Sequence, residues 1–394
     1  MPGPLPEGEP VPVDGSLPDH AAARAGQNGF GVYVHVPFCA SRCGYCDFNT
    51  YTADEAGQEG YLDAVLAELR LAGKVISPER VDTVFVGGGT PTLLDPGDLA
   101  RVLDAIDATW GLAPGAEVTT EANPESVTPE SLRALRRAGF TRISLGMQSA
   151  APHVLAVLDR RHTAGRAPRA ATEAREAGFE HVNLDLIYGT PGETAADFDG
   201  SLDAVVQAGV DHVSAYALIV EDGTRLAARM RRGDLPYPDD DVAADRYLAA
   251  DQRLSAAGLE WYEVSNWAAG EAARCAHNML YWTGGDWWGV GPGAHSHVGG
   301  VRWWNVKHPS GYARKLADGE SPGFGRELLT AADQRMEDIM LRVRLRDGMP
   351  LDGLDAARFL ADGLLDAAAY GAGRLVLTLR GRLLADAVIR DLVT

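Results

Sequence analysis

From Val32 onward the chain alternates between two rhythms. Short runs rich in β-branched residues give way to longer stretches whose apolar positions recur every three or four residues, the signatures of strand and helix. "VYVHV" reads as a strand and residues 54–74 as a helix, and "VDTVFVGGG" reads as a strand that ends in a glycine turn. The alternation continues through a helix at 95–109, "AEVTTEA", a helix at 128–138, "TRISLGMQ", a helix at 165–177, "HVNLDLIYG", a helix at 194–208, "DHVSAYALI" and a helix at 240–257. Six strand-then-helix units predict an α/β fold with a parallel sheet, curled into a full or partial barrel or lying open and doubly wound. In a barrel the chemistry gathers at the carboxyl ends of the strands, where Gly87 to Thr90, Glu121, Gln148, Asp185 and Tyr216 fall. An open nucleotide-binding sheet would place its ligand at a similar edge.

Both ends of the chain break the rhythm. The proline-rich, acidic head "MPGPLPEGEPVPVDGSLPDH" lacks the apolar content to build a core, so disorder is expected over residues 1–29. It also lacks the basic start and apolar segment of a secretory signal, and no apolar run approaches the roughly 20 residues of a membrane helix. At the other end, "DQRMEDIMLRVRLRDGMPL" reads as an amphipathic helix and linker. "GRLVLTLRGRLLADAVIRDLV" then reads as a hairpin and helix, together a winged-helix-like α+β unit over 326–394. Such units often bind DNA, but a formal charge of -19 and a pI near 4.9 oppose a broad hold on nucleic acid or an anionic membrane. A structural or partner-docking role is the expectation for this tail, with no nucleic acid among the partners.

Cysteine usage adds the chemistry. Of four cysteines, three crowd into "VPFCASRCGYCDF" as Cys39, Cys43 and Cys46, and Cys275 stands far downstream. This is no disulfide framework; the cluster points to metal or redox work in a reducing compartment, by default the cytoplasm. Three thiolates on a loop after the first strand can hold three irons of a [4Fe-4S] cluster, leaving the fourth iron open to a small molecule's amine and carboxylate. The alternative is a zinc site completed by Cys275 or a histidine.

Cys39, Cys43 and Cys46, spaced Cys-x3-Cys-x2-Cys with Tyr45 before the last, resemble the signature of the radical S-adenosylmethionine enzymes. "FVGGGTPTLL", "TTEANPES", "RISLGMQS", "NLDLIYGTPGET" and "CAHNMLYW" narrow the resemblance to the oxygen-independent coproporphyrinogen III oxidase group, and within it to a heme-chaperone branch. The resemblance spans about residues 32–390. It implies a partial (βα)6-type barrel over 30–260, an aromatic-rich segment over 261–325, and a [4Fe-4S] cluster that passes one electron to bound S-adenosylmethionine. By the same resemblance Tyr33, Tyr45, Gly88, Gly89, Thr90, Glu121, Gln148, Arg160 and Asp185 belong to the cofactor or substrate site. Ile219 is a further candidate for the pocket wall.

Two functions follow from the resemblance. One is a heme chaperone that delivers heme to respiratory membrane proteins, reaching the membrane only through its partner. The other is a decarboxylase acting on coproporphyrinogen III, whose branch carries an extra cysteine where this chain has Phe48. His277, Asn278, Tyr281 and Trp282 match the His-Asn-x-x-Tyr-Trp element of the chaperone branch, which makes His277 or Cys275 the expected heme ligand. Seven of the eight tryptophans lie between Trp261 and Trp304, offering aromatic faces to a porphyrin or simply packing an interface. "GVGPGAH" departs from a phosphate loop at Pro292 and reads as a turn near the barrel mouth.

Overall fold

The computed structural model describes residues 8–52, 55–160, 163 and 165–393. Its frame is six parallel strands in sequential order: β1 (Phe30–Val36), β2 (Val81–Gly88), β3 (Leu112–Ala122), β4 (Arg142–Gln148), β5 (His181–Tyr188) and β6 (His212–Ala217). Period-2 alternation sorts their side chains. Val32, Val34 and Val36, Val84 and Val86, Ile143 and Leu145, Leu184 and Leu186, and Val213 and Ala215 join one hydrophobic core with the outer helices. The alternate positions face inward and are mostly polar, so the strands build a core on one side and a polar lining on the other.

The helices start where local chemistry allows. Thr128 with Ser131 and Thr194 with Asp197 form reciprocal capping boxes, and Asp95 caps the helix that begins with Pro96. The helix expected from residue 54 begins at Tyr61 behind a left-handed Gly60, while residues 53 and 54 lie outside the described residues.

The segment after β6 extends the sheet at both edges. β7 (Glu260–Glu263) and β8 (Asn266–Ala268) add to the β6 side. On the other side lie β9 (Asp286–Val290), β10 (His295–Val298), β11 (Val301–Asn305) and β12 (Gly323–Leu328). β9 runs parallel to β1, and the strands beyond it alternate in direction, giving twelve strands in one sheet.

The head departs from the expectation of disorder. Glu9 bridges to Arg326 through its backbone and its carboxylate, Ser321 donates to the Val13 carbonyl, and Ala21 is fully buried. Val11 and Leu17 lie with Trp288 and Trp303 against the outer β9–β12 sheet, so sheet surface supplies the apolar partner the segment lacks by itself. Residues 1–7 lie outside the described residues.

The C-terminal unit differs locally too. β12 stays in the large sheet to Leu328, and the separate small core of Ile339, Val343, Phe359, Leu375, Val388 and Ile389 starts with the helix Ala331–Arg342. The expected local hairpin is replaced by a two-residue strand, Arg374–Leu375, pairing with Met349–Pro350. Thr378 caps the turn that follows, and a side chain at Gly381 would meet the Leu364 carbonyl at 2.0 Å, so this stretch coils against its neighbour.

Candidate functional site

The three clustered cysteines sit on a loop pinned from several sides. Cys39 N donates to Tyr51 O, Tyr51 N to Pro37 O, and Thr90 N to Phe38 O, which ties the loop base to the turn after β2. Farther along, Gly44 N donates to Leu158 O, Leu226 N to Gly44 O, and the Arg225 guanidinium to the Arg42 carbonyl. Gly44 packs closely here, since a Cβ would lie 2.6 Å from the Asp159 carboxylate and would push that side chain aside. All three thiols are free and half-buried. Among the described residues no three His, Cys, Asp or Glu side chains converge on a single-ion site.

The thiols open into a cavity of about 710 Å³ at the carboxyl ends of the strands, within the usual size range of ligand pockets. Tyr45, Gly88, Gly89, Thr90, Glu121, Gln148, Arg160 and Asp185 all line it with Cys39, Cys43 and Cys46. Ile219 and Phe48, 60% and 57% exposed, stand at its apolar rim. Tyr33 does not line the cavity; its hydroxyl bonds His35 Nδ1 at 3.0 Å and its ring stacks on Phe85. The expected direct contact of Tyr33 with a cofactor is therefore not provided by this arrangement.

Geometry explains the glycines. Gly88 has φ +105°, and a Cβ would strike the His35 ring at 2.6 Å; one on Gly89 would strike the Phe38 carbonyl at 2.5 Å. Gly88 N donates to Glu121 Oε2 at 3.0 Å. A bulge between Gly146 and Gln148 puts Gln148 at φ 65° and turns its side chain into the cavity, a local distortion typical of functional strand ends.

The charges are arranged for polar recognition. Arg160 donates to Cys43 Sγ at 3.5 Å and to Gly146 O at 2.8 Å, leaving Nε buried without a partner among the described residues. Asp185 accepts from Ser144 and Asn183. Burial, reinforced by Asp185, pushes the Glu121 carboxyl up to about 7, and burial raises Asp185 as well. Burial also pushes the Cys46 thiol up to about 11, a shift that iron would reverse by binding the thiolate. The donor set of three thiols, glycine amides, a cation beside one thiol and buried carboxyls fits a thiolate-held cluster with a small zwitterionic ligand next to it.

His277 and Cys275 lie elsewhere, at the amino end of the strands, on and before the helix Ala276–Trp282 that closes the barrel floor. His277 is 1% exposed, with Nδ1 2.8 Å from Thr83 Oγ1 and Nε2 2.8 Å from Tyr281 OH. Cys275 is buried against Glu117, and desolvation drives its thiol far above the ordinary range. Asn278 and Trp282 both engage Glu263. Neither expected heme ligand is presented to a ligand, because the whole element is spent on fastening the floor.

Several site-building residues escaped the sequence reading. Glu117 accepts from Arg142 at 2.7 Å and from the His277 amide, while Arg142 also donates to the carbonyls of Ala273 and Arg274. Asn183 links Ser144, Asp185, Ser214 and His212 inside the barrel. The available signal was polar residues at alternate positions of otherwise apolar strands.

Comparison with known proteins matches residues 33–205 to the Radical SAM superfamily. The chain is 59% identical over 92% of its length, and 95% of the relative's, to a Mycobacterium tuberculosis protein named heme chaperone HemW. It is 34% identical to the Bacillus subtilis protein of that name, over 80% of this chain and 84% of the relative. The solved structure of coproporphyrinogen III oxidase (HemN) from Escherichia coli superposes with a TM-score of 0.80 at 24% identity, covering 95% of this chain and 92% of that one, a likeness of fold. The barrel, the placement of the three cysteines and these matches together make the chain a member of the radical SAM superfamily and, within it, of the HemW family.

Proposed function

We propose that this chain is a cytoplasmic heme chaperone, which binds heme, carries a [4Fe-4S] cluster on Cys39, Cys43 and Cys46 with S-adenosylmethionine at the open iron, and delivers heme to respiratory membrane proteins. The observation that carries the reading is the 59% identity, over almost the whole chain, to a protein named heme chaperone HemW. When bound, the cluster supplies an electron to S-adenosylmethionine. This chain's own residues do the positioning: Gly88 and Gly89 bring the backbone to the cavity wall where the methionine end would sit. Arg160 sets a positive charge beside Cys43, and Glu121 and Asp185 offer hydrogen-bond acceptors on the same cavity lining.

Phe48 at the rim disfavours the decarboxylase alternative, whose branch resemblance calls for a cysteine there. Membrane access follows the same reading. No helix among the described residues is long and apolar enough to cross a membrane, and the charge of -19 opposes anionic lipid, so docking on the recipient protein is the route.

The test is an anaerobic heme titration of cluster-reconstituted protein followed in the Soret band, then mixing with membranes containing a heme-depleted respiratory enzyme. One-to-one saturable binding and recovery of the recipient's activity are expected. Absent binding, with vinyl product and 5'-deoxyadenosine formed in step from coproporphyrinogen III, would put the decarboxylase in its place.

A further inference from the structure

Asp185 reaches the cluster cavity from β5, and part of what holds its carboxylate stands behind the cavity wall. Ser144 Oγ lies 3.1 and 3.0 Å from its two oxygens, and Asn183 Nδ2, outside the lining, donates to Oδ1 at 2.6 Å. Strand register brings the parts together. Asn183 and Asp185 are two apart on β5 and share a face, while β6 sets His212 beside Asn183 and Ser214 beside Asp185. Asn183 Oδ1 then lies 2.7 Å from His212 Nδ1, His212 Nε2 lies 2.7 Å from Tyr262 OH, and that hydroxyl accepts from Cys275 N at 3.2 Å. Asn183, His212 and Tyr262 are all buried, which keeps bulk water from competing for these contacts.

Only one arrangement of hydrogens satisfies every member. Burial, then the charges of Arg142 and His181, hold the His212 imidazole well below its ordinary pKa, so the ring is neutral, with one nitrogen that donates and one that accepts. The ionised Asp185 carboxylate, faced by Ser144, Ser214, Asn183 and the Arg160 charge, accepts only. It turns the amino group of Asn183 toward itself and the amide oxygen toward His212. His212 Nδ1 therefore carries the proton, Nε2 accepts from the Tyr262 hydroxyl, and the Cys275 amide fills a lone pair of that hydroxyl. Every donor in the row points toward Asp185, and each polarises the next. Were the Asn183 amide to turn over, its oxygen would meet the carboxylate oxygen across the same short contact. The Nδ1 proton of His212 prevents this by engaging the amide oxygen.

We propose that His212 is a positioning residue for the cavity: through Asn183 it fixes the Asp185 carboxylate as an acceptor for hydroxyl groups of the bound nucleoside, and it ties that acceptor to the floor segment at Cys275. The proposal rests on the reading above that S-adenosylmethionine occupies the cavity.

S-adenosylmethionine binding would be measured by equilibrium dialysis on the anaerobic, cluster-reconstituted full chain without reductant, with iron content and thermal midpoint alongside. His212→Leu strips both hydrogen bonds of the ring and should bind about ten-fold more weakly. His212→Asn keeps a donor at the Nδ1 position and should recover most of that loss. In an Asp185→Asn background His212→Leu should cost nothing further, since the residue acts through that carboxylate. An equal loss in both backgrounds, or one that His212→Asn leaves in place at a wild-type midpoint, would reduce His212 to a packing role and overturn the proposal. If His212→Leu does not fold, Tyr262→Phe, which removes only the hydroxyl that sets the tautomer, carries the same comparison with a loss of about three-fold. Wild-type affinity in Asp185→Asn would take this carboxylate out of the site and the proposal with it, leaving the cofactor reading intact. Failure of wild type to bind S-adenosylmethionine would remove that reading itself.

Discussion

His277, with Thr83 on one ring nitrogen and Tyr281 on the other, works as a fastener between the floor helix and β2. Burial pushes its pKa down to about 3, so it is neutral throughout the physiological range. The motif spacing has a helical explanation: His277 and Tyr281 are four apart and meet each other, while Asn278 and Trp282, also four apart, both reach Glu263. Sequence alone cannot separate this from a ligand set, since an imidazole flanked by aromatics suits either use. The two uses differ in what a mutation does. His277→Ala leaves two buried hydroxyls unpaired and opens a cavity, and should lower stability by about 3 kcal/mol in urea unfolding. Heme affinity of the folded variant should stay at the wild-type value; a ten-fold loss would return the ligand to the floor.

At the scale of elements, the helix Tyr61–Val75 is tied to the far side of the sheet by one buried carboxyl. Glu68 accepts from Gly291 N, Asn305 Nδ2 and Tyr312 OH, so it anchors the glycine loop between β9 and β10 that leads to His295. Burial, the largest influence, pushes this carboxyl up to about 7 despite those donors. Between the ordinary carboxylate range near 4.5 and about 7 the folded protein then holds a proton that the unfolded chain has lost. By linkage, stability contributed by this group is fully present below that range and falls as pH rises through the folded pKa. Glu68→Gln should flatten the decline in unfolding free energy over this window by up to one proton, read from urea midpoints at a series of pH values. An unchanged slope would assign the decline to the similarly raised Glu121 and Glu193.

The six parallel strands and most of their helices were legible in sequence because the strands carry β-branched runs and several helices open on a polar cap, as Asp95, Thr128, Thr194 and Asp239 do. The cavity lining was legible for a related reason: Gly88, Glu121 and Gln148 lie at the carboxyl ends of their strands and Gly89 just past one, which places them together, and Asp185 joins them from the middle of β5. Glu68 and Glu117 were not legible, since an acid in an amphipathic stretch normally faces water and only the tertiary fold turns these two inward. The head was misread for a parallel reason, its apolar partner being a sheet surface almost 300 residues downstream.

At the scale of the whole molecule, the C-terminal unit is docked on the barrel near its floor rather than its mouth. Arg382 makes two 3.0 Å contacts with Asp251 and lies over the Trp261 ring at 4.3 Å; Arg346 N donates to Tyr262 O, and Leu345 bridges Glu263. Tyr262 and Glu263 are also the residues that receive the floor element, so the docked unit backs the floor from outside. Yet its core is separate from the barrel's, which means the two can open independently. Arg382→Ala removes a forked, mostly buried ion pair and its stacking on Trp261 at one stroke. Amide exchange should then accelerate through residues 357–393 while β1–β6 stay as protected as in wild type, and iron content should not change, because the cysteine loop lies at the opposite end of the strands. Equal acceleration in the barrel would show instead that the two cores unfold as one, and that the tail is part of what holds the cysteine loop in place.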